Sequence, residues 1–357
     1  KCKFKDVCST STGNKNTQDK IDDGIYPFYV RSQTVERINS WTFDGEAILT
    51  AGDGVGVGKV FHHTYGKIGV HQRVYILSNF KCDANYLFHF FSSHFYNRVK
   101  RMSAKNSVDS VRKEMITEMP LYLPSKQEQA KIGVLLSLLD ERIATQSKVI
   151  EDLKKLKSAI INYAINSLDT DFAKFSSLYE MAGEGGTPTT SNASFYDNGK
   201  IPFIKIDDLK QKYLTENKDF ITELGLQKSS AWLVPTHSIL FSNGATIGEI
   251  SITTYPVCTK QGILGIVPKQ NIDVEFLYYF MSSSYFKKAV SRIVTEGTMK
   301  TAYLKDINNI RCPIPTKEKQ QEIAKMPSAL NSKIDFEQSI LKLFCSQKQY
   351  LLRQMFI

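Results

Sequence analysis

The residues whose spacing comes nearest to a chemical motif form a glycine-rich segment, Gly52 to Val60. Loops of this kind can wrap a phosphate with backbone N–H groups. The spacing does not fit, because GxxxxGK[ST] needs Gly at position 53 and Ser or Thr at position 60, and GxGxxG needs Gly at position 57. The chain has Asp53, Val60 and Val57 there. We therefore interpret the segment as a surface turn between strands.

No catalytic motif is present elsewhere. The sequence lacks GxSxG, HExxH and kinase signatures, and it lacks the [ND]PP[FYW] tetrapeptide of amino-methyltransferases. The adjacent carboxylates Asp207 and Asp208 are typical of a solvated cap near a strand end. We predict no catalytic residues and no cofactor bound by this chain.

The sulfur and imidazole side chains do not predict a metal site. No pair of cysteines has CxxC spacing, and none lies near a histidine at zinc-finger spacing. His62 and His63 are neighbours, so on a strand they point to opposite faces. We expect reduced, buried thiols in a cytoplasmic protein. The cysteines are Cys2, Cys8, Cys82, Cys258, Cys312 and Cys345.

Basic and amide side chains recur beside predicted strand ends. Arg and Lys can read guanine O6 and N7, and Asn and Gln can read adenine N6 and N7. Lys, Ser and Thr can also bind phosphates that orient a protein on DNA. The candidate DNA-binding residues are Arg31, Ser32, Gln33, Lys59, His71, Gln72, Arg73, Lys105, Asn106, Lys205, Asn243, Lys260, Gln261, Thr298 and Lys300.

Charge agrees with a nucleic-acid partner. The 357 residues include 46 Lys and Arg against 36 Asp and Glu, for a formal net charge of +10, which favours a polyanion such as double-stranded DNA. No apolar stretch reaches the roughly 20 residues of a membrane helix. No secretory signal is visible, so we expect a cytoplasmic protein without a membrane partner.

The sequence repeats itself after about 190 residues. Leu123 to Ile132 matches Ile314 to Ile323, and Tyr86 to Ser93 matches Phe276 to Ser283. A repeat of this length predicts two similar halves related by a pseudo-twofold axis.

Each half has a globular part and a helical part. Short apolar runs at Ala47 to Thr50, Val74 to Leu77, Ser238 to Phe241 and Gly262 to Val267 predict strands. Helical spacing marks the aromatic segments Tyr86 to Phe95 and Phe276 to Phe286, which we interpret as buried core faces rather than base-stacking platforms. The globular parts are therefore expected to be α+β.

The helical parts carry heptad seams of apolar residues. Polar residues recur at matching seam positions, Gln146 with Glu337 and Lys157 with Lys348. Pro327 stands where the first copy has Leu136, which predicts a kink or a fresh helix start. The seam residues are Ile132, Leu136, Leu139, Ile143, Ile150, Leu153 and Ile160 in the first copy, and Leu330, Ile334, Leu341, Phe344, Leu351 and Met355 in the second.

These features together resemble the specificity subunit of a type I restriction-modification system. The resemblance covers essentially the full length, and its most specific parts are Leu123 to Ile132 with the helix after it, and Ile314 to Ile323 with the helix ending in Leu351 to Phe356. It implies two α/β target-recognition domains, residues 1–124 and 169–315, alternating with two spacer helices, residues 125–168 and 316–357, that pair as an antiparallel coiled coil.

The resemblance also implies partners. Each recognition domain would read one half of a bipartite DNA target, and two methyltransferase subunits would dock on the helices. Restriction subunits would be added for cleavage. S-adenosylmethionine, ATP and Mg would bind to those partners, which would methylate adenine and cleave DNA.

Two alternatives remain open at this point. The chain could be the recognition part of a type IIB or IIG-like restriction-modification enzyme, with a methyltransferase or nuclease segment upstream of Lys1 or encoded next to it. It could also be a coiled-coil adaptor that binds no DNA, although an adaptor would not explain two differing lobes with donors at equivalent strand ends.

Overall fold

A computed structural model describes residues 2–103, 110–244, 246–294 and 300–356. The chain forms two compact units. Unit 1 comprises Lys1–Lys148 and Ser339–Ile357, and unit 2 comprises Val149–Gln338. The division falls inside two long helices, so each unit combines a globular part with segments of both helices.

The globular part of unit 1 is built around one antiparallel-rich sheet. Its strands are β1 (Cys2–Lys3), β2 (Ser9–Thr12), β3 (Tyr26–Tyr29), β4 (Val35–Ile38), β5 (Phe43–Ala51), β6 (Phe61–Val70), β7 (Val74–Ser78) and β8 (Pro120–Leu121). Its helices are α1 (Phe4–Val7), α2 (Ala84–Met102), α3 (Lys113–Thr117) and the start of α4 (Lys126–Asn166), with a 3₁₀ turn at Thr17–Asp19.

The six-stranded sheet of unit 1 has the order β2-β7-β5-β6-β3-β4, and β1 pairs with β8. All neighbours are antiparallel except β3 and β6. The last five residues of β5 are buried, as expected for a central strand covered on both faces. Aromatic side chains of α2 pack on Ile48 of β5 and Leu77 of β7.

Unit 2 contains more and shorter strands. They are β9 (Phe172–Lys174), β10 (Tyr179–Glu184), β11 (Ile201–Ile204), β12 (Tyr213–Leu214), β13 (Asp219–Ile221), β14 (Ile239–Ser242), β15 (Ile250–Thr253), β16 (Cys258–Thr259), β17 (Ile263–Pro268) and β18 (Arg311–Pro313). The helices are α5 (Glu223–Gln227), α6 (Val274–Ser282), α7 (Ser284–Ile293), α8 (Leu304–Ile307) and α9 (Lys317–Met355), with 3₁₀ turns at Phe175–Ser177, Ala193–Phe195 and Ile206–Lys210.

Three sheets make up the strands of unit 2. The largest has the order β10-β17-β14-β15-β12, a second has β13-β11-β16, and β18 pairs with β9. The pairs β11 with β16 and β12 with β15 are parallel. The four predicted strand runs correspond to β5, β7, β14 and β17, although β14 and β17 each begin one residue later than predicted, at Ile239 and Ile263.

The aromatic segments form helices with buried faces. Phe90, Phe91 and Phe95 lie in the core of unit 1, and Phe276 and Phe280 in the core of unit 2. The second segment, Phe276 to Phe286, is divided between α6 and α7. The Ser283 hydroxyl accepts the Phe286 N–H at 3.3 Å, and this cap starts α7 immediately after α6 ends.

The helix after Ile314 runs unbroken through Pro327. α9 has 39 residues and contains Pro327 in its interior, so of the two expected outcomes the fresh start is wrong and the kink stays a prediction. A proline at this position removes one backbone donor from the helix. Pro327 is buried, and the continuing turns on either side keep the helix intact. The first copy, α4, has 41 residues.

The recurring Pro-x-x-x-x-Gln sequence holds each long helix against an aromatic helix. In unit 1 the Gln129 amide accepts the Asp83 N–H (3.1 Å) and donates to the Pro124 carbonyl (2.8 Å). In unit 2 the Gln320 amide accepts the Asp273 N–H (2.7 Å) and donates to the Pro315 carbonyl (2.9 Å). Both glutamines are buried, and both aspartates cap the aromatic helix that follows them. We call this pair of bonds the glutamine clamp.

Removing one clamp should destabilise its unit. Gln320→Leu leaves the Asp273 N–H and the Pro315 carbonyl buried without partners, which costs about 1–3 kcal/mol of unfolding free energy. Urea unfolding of the full chain measures it, with Trp41→Phe as background so that Trp232 reports on unit 2. Gln321→Leu, at an exposed neighbour, is the control and should change the urea midpoint little. Equal effects of the two substitutions would contradict the clamp.

A buried histidine should make unit 1 sensitive to acid. Burial lowers the pKa of His89 from 6.5 to about 4, against an opposing effect of the Asp140 carboxylate. Between these pH values the unfolded chain binds the proton and the folded chain does not, so stability is full above pH 6.5 and falls toward pH 4.

Between about pH 6.5 and pH 4 we expect His89 to lower the free energy of unfolding by about 1.4 kcal/mol for each unit that the pH falls. It is measured as the difference in urea unfolding between wild type and His89→Gln at pH 7 and pH 5, on a Trp232→Phe background that leaves Trp41 as the reporter. His237→Asn, at an exposed histidine, should keep the wild-type pH dependence. A His89→Gln protein with unchanged pH dependence would refute this assignment.

Candidate nucleic-acid interface

Several candidate residues of unit 1 follow two adjacent strands at the same edge of its sheet. β3 and β6 are parallel, with Tyr29 opposite Val70. The His71 N–H donates to the Tyr29 carbonyl at 3.0 Å. Because parallel strands end at the same edge, the segments 30–33 and 71–73 start side by side.

Unit 2 has a corresponding arrangement. β11 and β16 are parallel, with Ile204 opposite Thr259, and the Lys260 N–H donates to the Ile204 carbonyl at 2.9 Å. Lys205 and Lys260 are therefore the first residues beyond two adjacent strand ends.

The neighbouring strand ends also correspond. In unit 1 the Gly52 N–H donates to the Arg73 carbonyl (2.7 Å), and the Gly52 carbonyl accepts the Val111 N–H (2.7 Å). In unit 2 the Asn243 N–H donates to the Gly262 carbonyl (3.0 Å), and the Asn243 carbonyl accepts the Ala302 N–H (2.9 Å). In each unit, backbone bonds thus tie a third loop to the edge that carries the basic residues.

Asp53 positions two arginines of unit 1. Its carboxylate bonds to Arg31 Nη1 at 3.0 Å and lies 3.7 Å from Arg73 Nε. Both guanidinium groups remain accessible. Burial lowers the pKa of His71, and the charges of Arg31 and Arg73 lower it further against Asp53 and Asp19. Asp53 lies in the glycine-rich segment, and no sequence signal predicted that it would contact the two arginines.

The equivalent edge of unit 2 borders a cleft of about 570 Å³. Lys205, Lys260 and Gln261 line it, together with Thr187 and Glu184, which the sequence reasoning missed. The Thr187 hydroxyl accepts the Gln261 N–H at 3.3 Å, and Glu184 Oε1 accepts the Gly262 N–H at 2.9 Å. Lys205 also pairs with Asp219 at 2.8 Å. Ammonium and amide donors of this kind can bind phosphate oxygens and base acceptors.

Two candidate residues must be corrected. His71 is 5% and Asn243 1% exposed, so neither side chain is presented to a base. His71 Nδ1 accepts the Arg73 N–H at 3.0 Å, and Asn243 Nδ2 donates to the Ala302 carbonyl at 3.3 Å. Because buried side chains cannot bond to water, they form these hydrogen bonds to the backbone instead, and the bonds hold the loops in place.

The remaining candidates vary in position. Ser32, Gln33, Gln72, Arg73 and Lys300 are exposed. Lys59 is exposed too, and its ammonium lies 5.2 Å from the centre of the Tyr96 ring. Lys105, Asn106 and Thr298 lie outside the described residues.

The glycine-rich segment is a turn between β5 and β6, as predicted. Gly54 and Gly58 have φ of 77° and 66°, values that favour glycine. Val55 at its tip is 99% exposed. Asp208 caps the 3₁₀ turn Ile206–Lys210 by accepting the Lys205 N–H at 2.9 Å, so the cap interpretation is also correct.

The thiols follow the prediction only in part. Cys8, Cys258 and Cys312 are buried, and burial raises the pKa of Cys258 to about 11. Cys2 and Cys82 are half-buried and Cys345 is exposed. Across the described ranges, no cluster of His, Cys, Asp and Glu could hold a metal ion. Within the same ranges, no helix has the length and apolarity to cross a bilayer.

One trio in unit 1 has the residue types of a hydrolase triad. His89 Nε2 lies 3.3 Å from Ser137 Oγ, and His89 Nδ1 lies 3.7 Å from Asp140 Oδ2. His89 is 1% exposed, and Lys348 pairs with Asp140. A general base needs a substrate within reach and a pKa near the operating pH. The buried trio meets neither condition and is a packing contact.

The predicted seam residues of α4 and α9 are shielded from solvent, whereas some other apolar residues of these helices are exposed. Every predicted seam residue is buried or half-buried. Polar contacts accompany the seam: Lys348 pairs with Asp140 in unit 1, and Lys157 Nζ donates to Asn331 Oδ1 at 2.9 Å in unit 2. Three apolar residues spaced by seven are exposed on each helix, Val149, Leu156 and Tyr163 on α4 and Phe336, Leu343 and Tyr350 on α9.

Comparison with curated proteins finds relatives of one kind. The chain is 32% identical over 173 residues to the type I restriction enzyme MjaIX specificity subunit of Methanocaldococcus jannaschii, covering 47% of this chain and 39% of that protein. It is 22% identical over 362 residues to the EcoDI specificity subunit of Escherichia coli, covering 90% of this chain and 78% of that protein.

A solved structure shares the fold over nearly the whole chain. The S subunit of a type I restriction-modification system from M. genitalium has 16% identity and a TM-score of 0.67, covering 99% of this chain and 95% of that one. The profile of the family described as "Type I restriction modification DNA specificity domain" matches residues 1–155 and 170–343. With the two basic strand edges and the long helices, these matches show that the chain belongs to that family.

Proposed function

We propose that this chain is the non-catalytic specificity subunit of a type I restriction-modification complex, in which each unit reads one half of a bipartite DNA target. The observation that carries this proposal is the pair of corresponding sheet edges, each presenting basic and amide side chains beside a parallel strand pair. Residues 1–124 and 169–315 would be the two recognition domains, arranged as an internal repeat.

The two edges differ in a way that suits two different half-sites. Unit 1 presents arginines held by Asp53, whereas unit 2 presents lysines and Gln261 around a cleft. Arg forks favour guanine, and amides favour adenine. Nearby lysines and hydroxyls would bind phosphates and fix the orientation.

The long helices would set the spacing and hold the partners. The buried seam and the contacts Asp140–Lys348 and Lys157–Asn331 fit an antiparallel pairing of α4 with α9. A helix of about 40 residues is roughly 60 Å long. That length suffices to separate half-sites by about one DNA turn, 34–36 Å.

The exposed apolar residues fit docking of the methyltransferase subunits. Residues spaced by seven lie on one face of a helix, and exposed apolar patches mark interaction sites. A solved structure of complex assembly in a type I restriction-modification system has a TM-score of 0.59 to this chain at 13% identity. S-adenosylmethionine, ATP and Mg would be bound by the methyltransferase and restriction partners.

Methylation mapping in cells tests the two-lobe reader. We expect wild-type chain with its methyltransferase to give modified adenines in a motif of two short blocks around an unspecified spacer. Gln261→Ala removes an amide donor from unit 2 only and should relax one block, while Gln72→Ala should relax the other. Loss of about 1–3 kcal/mol of discrimination is expected per bidentate base contact. One contiguous motif, or the same block changed by both substitutions, would disprove the proposal.

Methyltransferase docking is tested by affinity. Leu156→Glu places a charge in the exposed apolar row of α4, and we expect it to weaken binding of the methyltransferase subunit by about tenfold or more. Binding is measured by calorimetry or co-purification. Lys155→Glu, at an exposed position next to that row, is the matched control and should bind like wild type. Equal affinity of both variants would place the docking surface elsewhere.

A further inference from the structure

Unit 2 contains a second polar cavity, separate from the cleft lined by Lys205, Lys260 and Gln261, which we call the reading cleft. The volume of the second cavity is about 280 Å³. It lies between α4, α6, α7, the end of the 3₁₀ turn Ile206–Lys210 with the two residues after it, and the loop before β15. Four lysines line it: Lys157 of α4, Lys210 and Lys212 at the end of the 3₁₀ turn and just after it, and Lys287 of α7.

One of these ammonium groups is built into the wall. The Lys212 side chain is 4% exposed and pairs with Glu275. Its Nζ also donates to Tyr279 OH at 2.8 Å and to Ser328 Oγ at 3.2 Å. These three bonds use all three donors of the ammonium group, so Lys212 contributes a fixed charge beside the cavity and no hydrogen bond to a ligand.

The other lysines are less compensated. Lys210 pairs with the exposed carboxylate of Asp207 at 3.0 Å. Within the described ranges, no carboxylate lies within 4.0 Å of Lys157 or Lys287 as a salt-bridge partner. Burial lowers the pKa of Lys157, and the charges of Lys212, Lys154 and Lys287 lower it further, opposed by Asp335. These ammonium groups therefore repel one another.

Among the described residues, the nearby carboxylates match the four lysines in number, but none forms a salt bridge with Lys157 or Lys287. Glu275 and Asp207 are each engaged by another lysine, Glu249 is in the lining, and Asp335 interacts with Lys157 only at longer range. Ser158 and Ser282 add hydroxyls to the lining. A multivalent oxyanion would relieve the repulsion between lysines and accept several charge-assisted hydrogen bonds.

We propose that this cavity binds a phosphate group, held by hydrogen bonds from Lys157 of α4 and Lys287 of α7. The phosphate could belong to a DNA backbone passing the sheet edge that carries Lys205 and Lys260 or to a free phosphate compound, since both present the same oxyanion. The 3₁₀ turn Ile206–Lys210 borders both this cavity and the reading cleft. The DNA source rests on the proposed function, whereas the site itself does not.

Calorimetry of the full chain with inorganic pyrophosphate tests the site. We expect binding to wild type, weakened about tenfold by Lys287→Ala because one charge-assisted contact is lost. Lys157→Met should weaken binding similarly. Lys288→Ala, at the next exposed residue of α7 but outside the cavity lining, should bind like wild type. Thermal unfolding without ligand checks that each variant folds.

Absence of binding to wild type would overturn the proposal. Equal weakening by Lys287→Ala and Lys288→Ala would also overturn it, because it would indicate only a diffuse basic surface.

A second measurement identifies the source of the phosphate. For duplex DNA of random sequence, each neutralised phosphate contributes about 0.9 to the slope of log affinity against log salt. A DNA phosphate in the cavity predicts that Lys287→Ala lowers the slope by about that amount and Lys288→Ala does not. Pyrophosphate binding with an unchanged slope would assign the site to free phosphate compounds. A chain that binds pyrophosphate but no DNA would refute the proposed function and leave the site standing.

Discussion

The glutamine clamp is the constraint on which the architecture of each unit depends. A buried amide must satisfy both its donor and its acceptor, and Gln129 and Gln320 do so by joining a proline turn to the capped start of an aromatic helix. In unit 1 that aromatic helix packs on the central strands β5 and β7. The clamp therefore links the start of a long helix, through a buried aromatic face, to the sheet whose edge carries the basic residues.

The two sheet edges that carry the basic residues combine a rigid frame with differing side chains. Backbone bonds after the parallel strands have matching geometry in the two units, so loops begin from fixed points. The side chains they present differ, with an Asp53-tethered pair of arginines in one unit and a lysine-lined cleft in the other. Side chains on such loops can be substituted without repacking the core, because loops tolerate substitutions that buried strands do not.

The long helices divide their apolar residues between two tasks. Seam residues such as Leu136 and Ile334 are buried, whereas Tyr163 and Leu343 are 78% and 68% exposed. The polar seam residues Lys157 and Lys348 each find an oxygen partner, as a desolvated ammonium requires. Pro327 is tolerated because the missing backbone donor affects one turn of a helix whose buried face continues on both sides.

The sequence by itself determined the family, the strand runs, the aromatic helices and the heptad seams, because these follow from periodicity and from spacing along the chain. Tertiary structure alone decided which polar residues are usable. Burial and side-chain contacts depend on neighbours far away in sequence. Folding buries His71 and Asn243, and it places Asp53 beside Arg31 and Arg73. The lysine cavity could not be predicted, because its lining residues come from separate elements. The break at Ser283 could not be predicted either, because there a local cap outcompetes continuation of the helix.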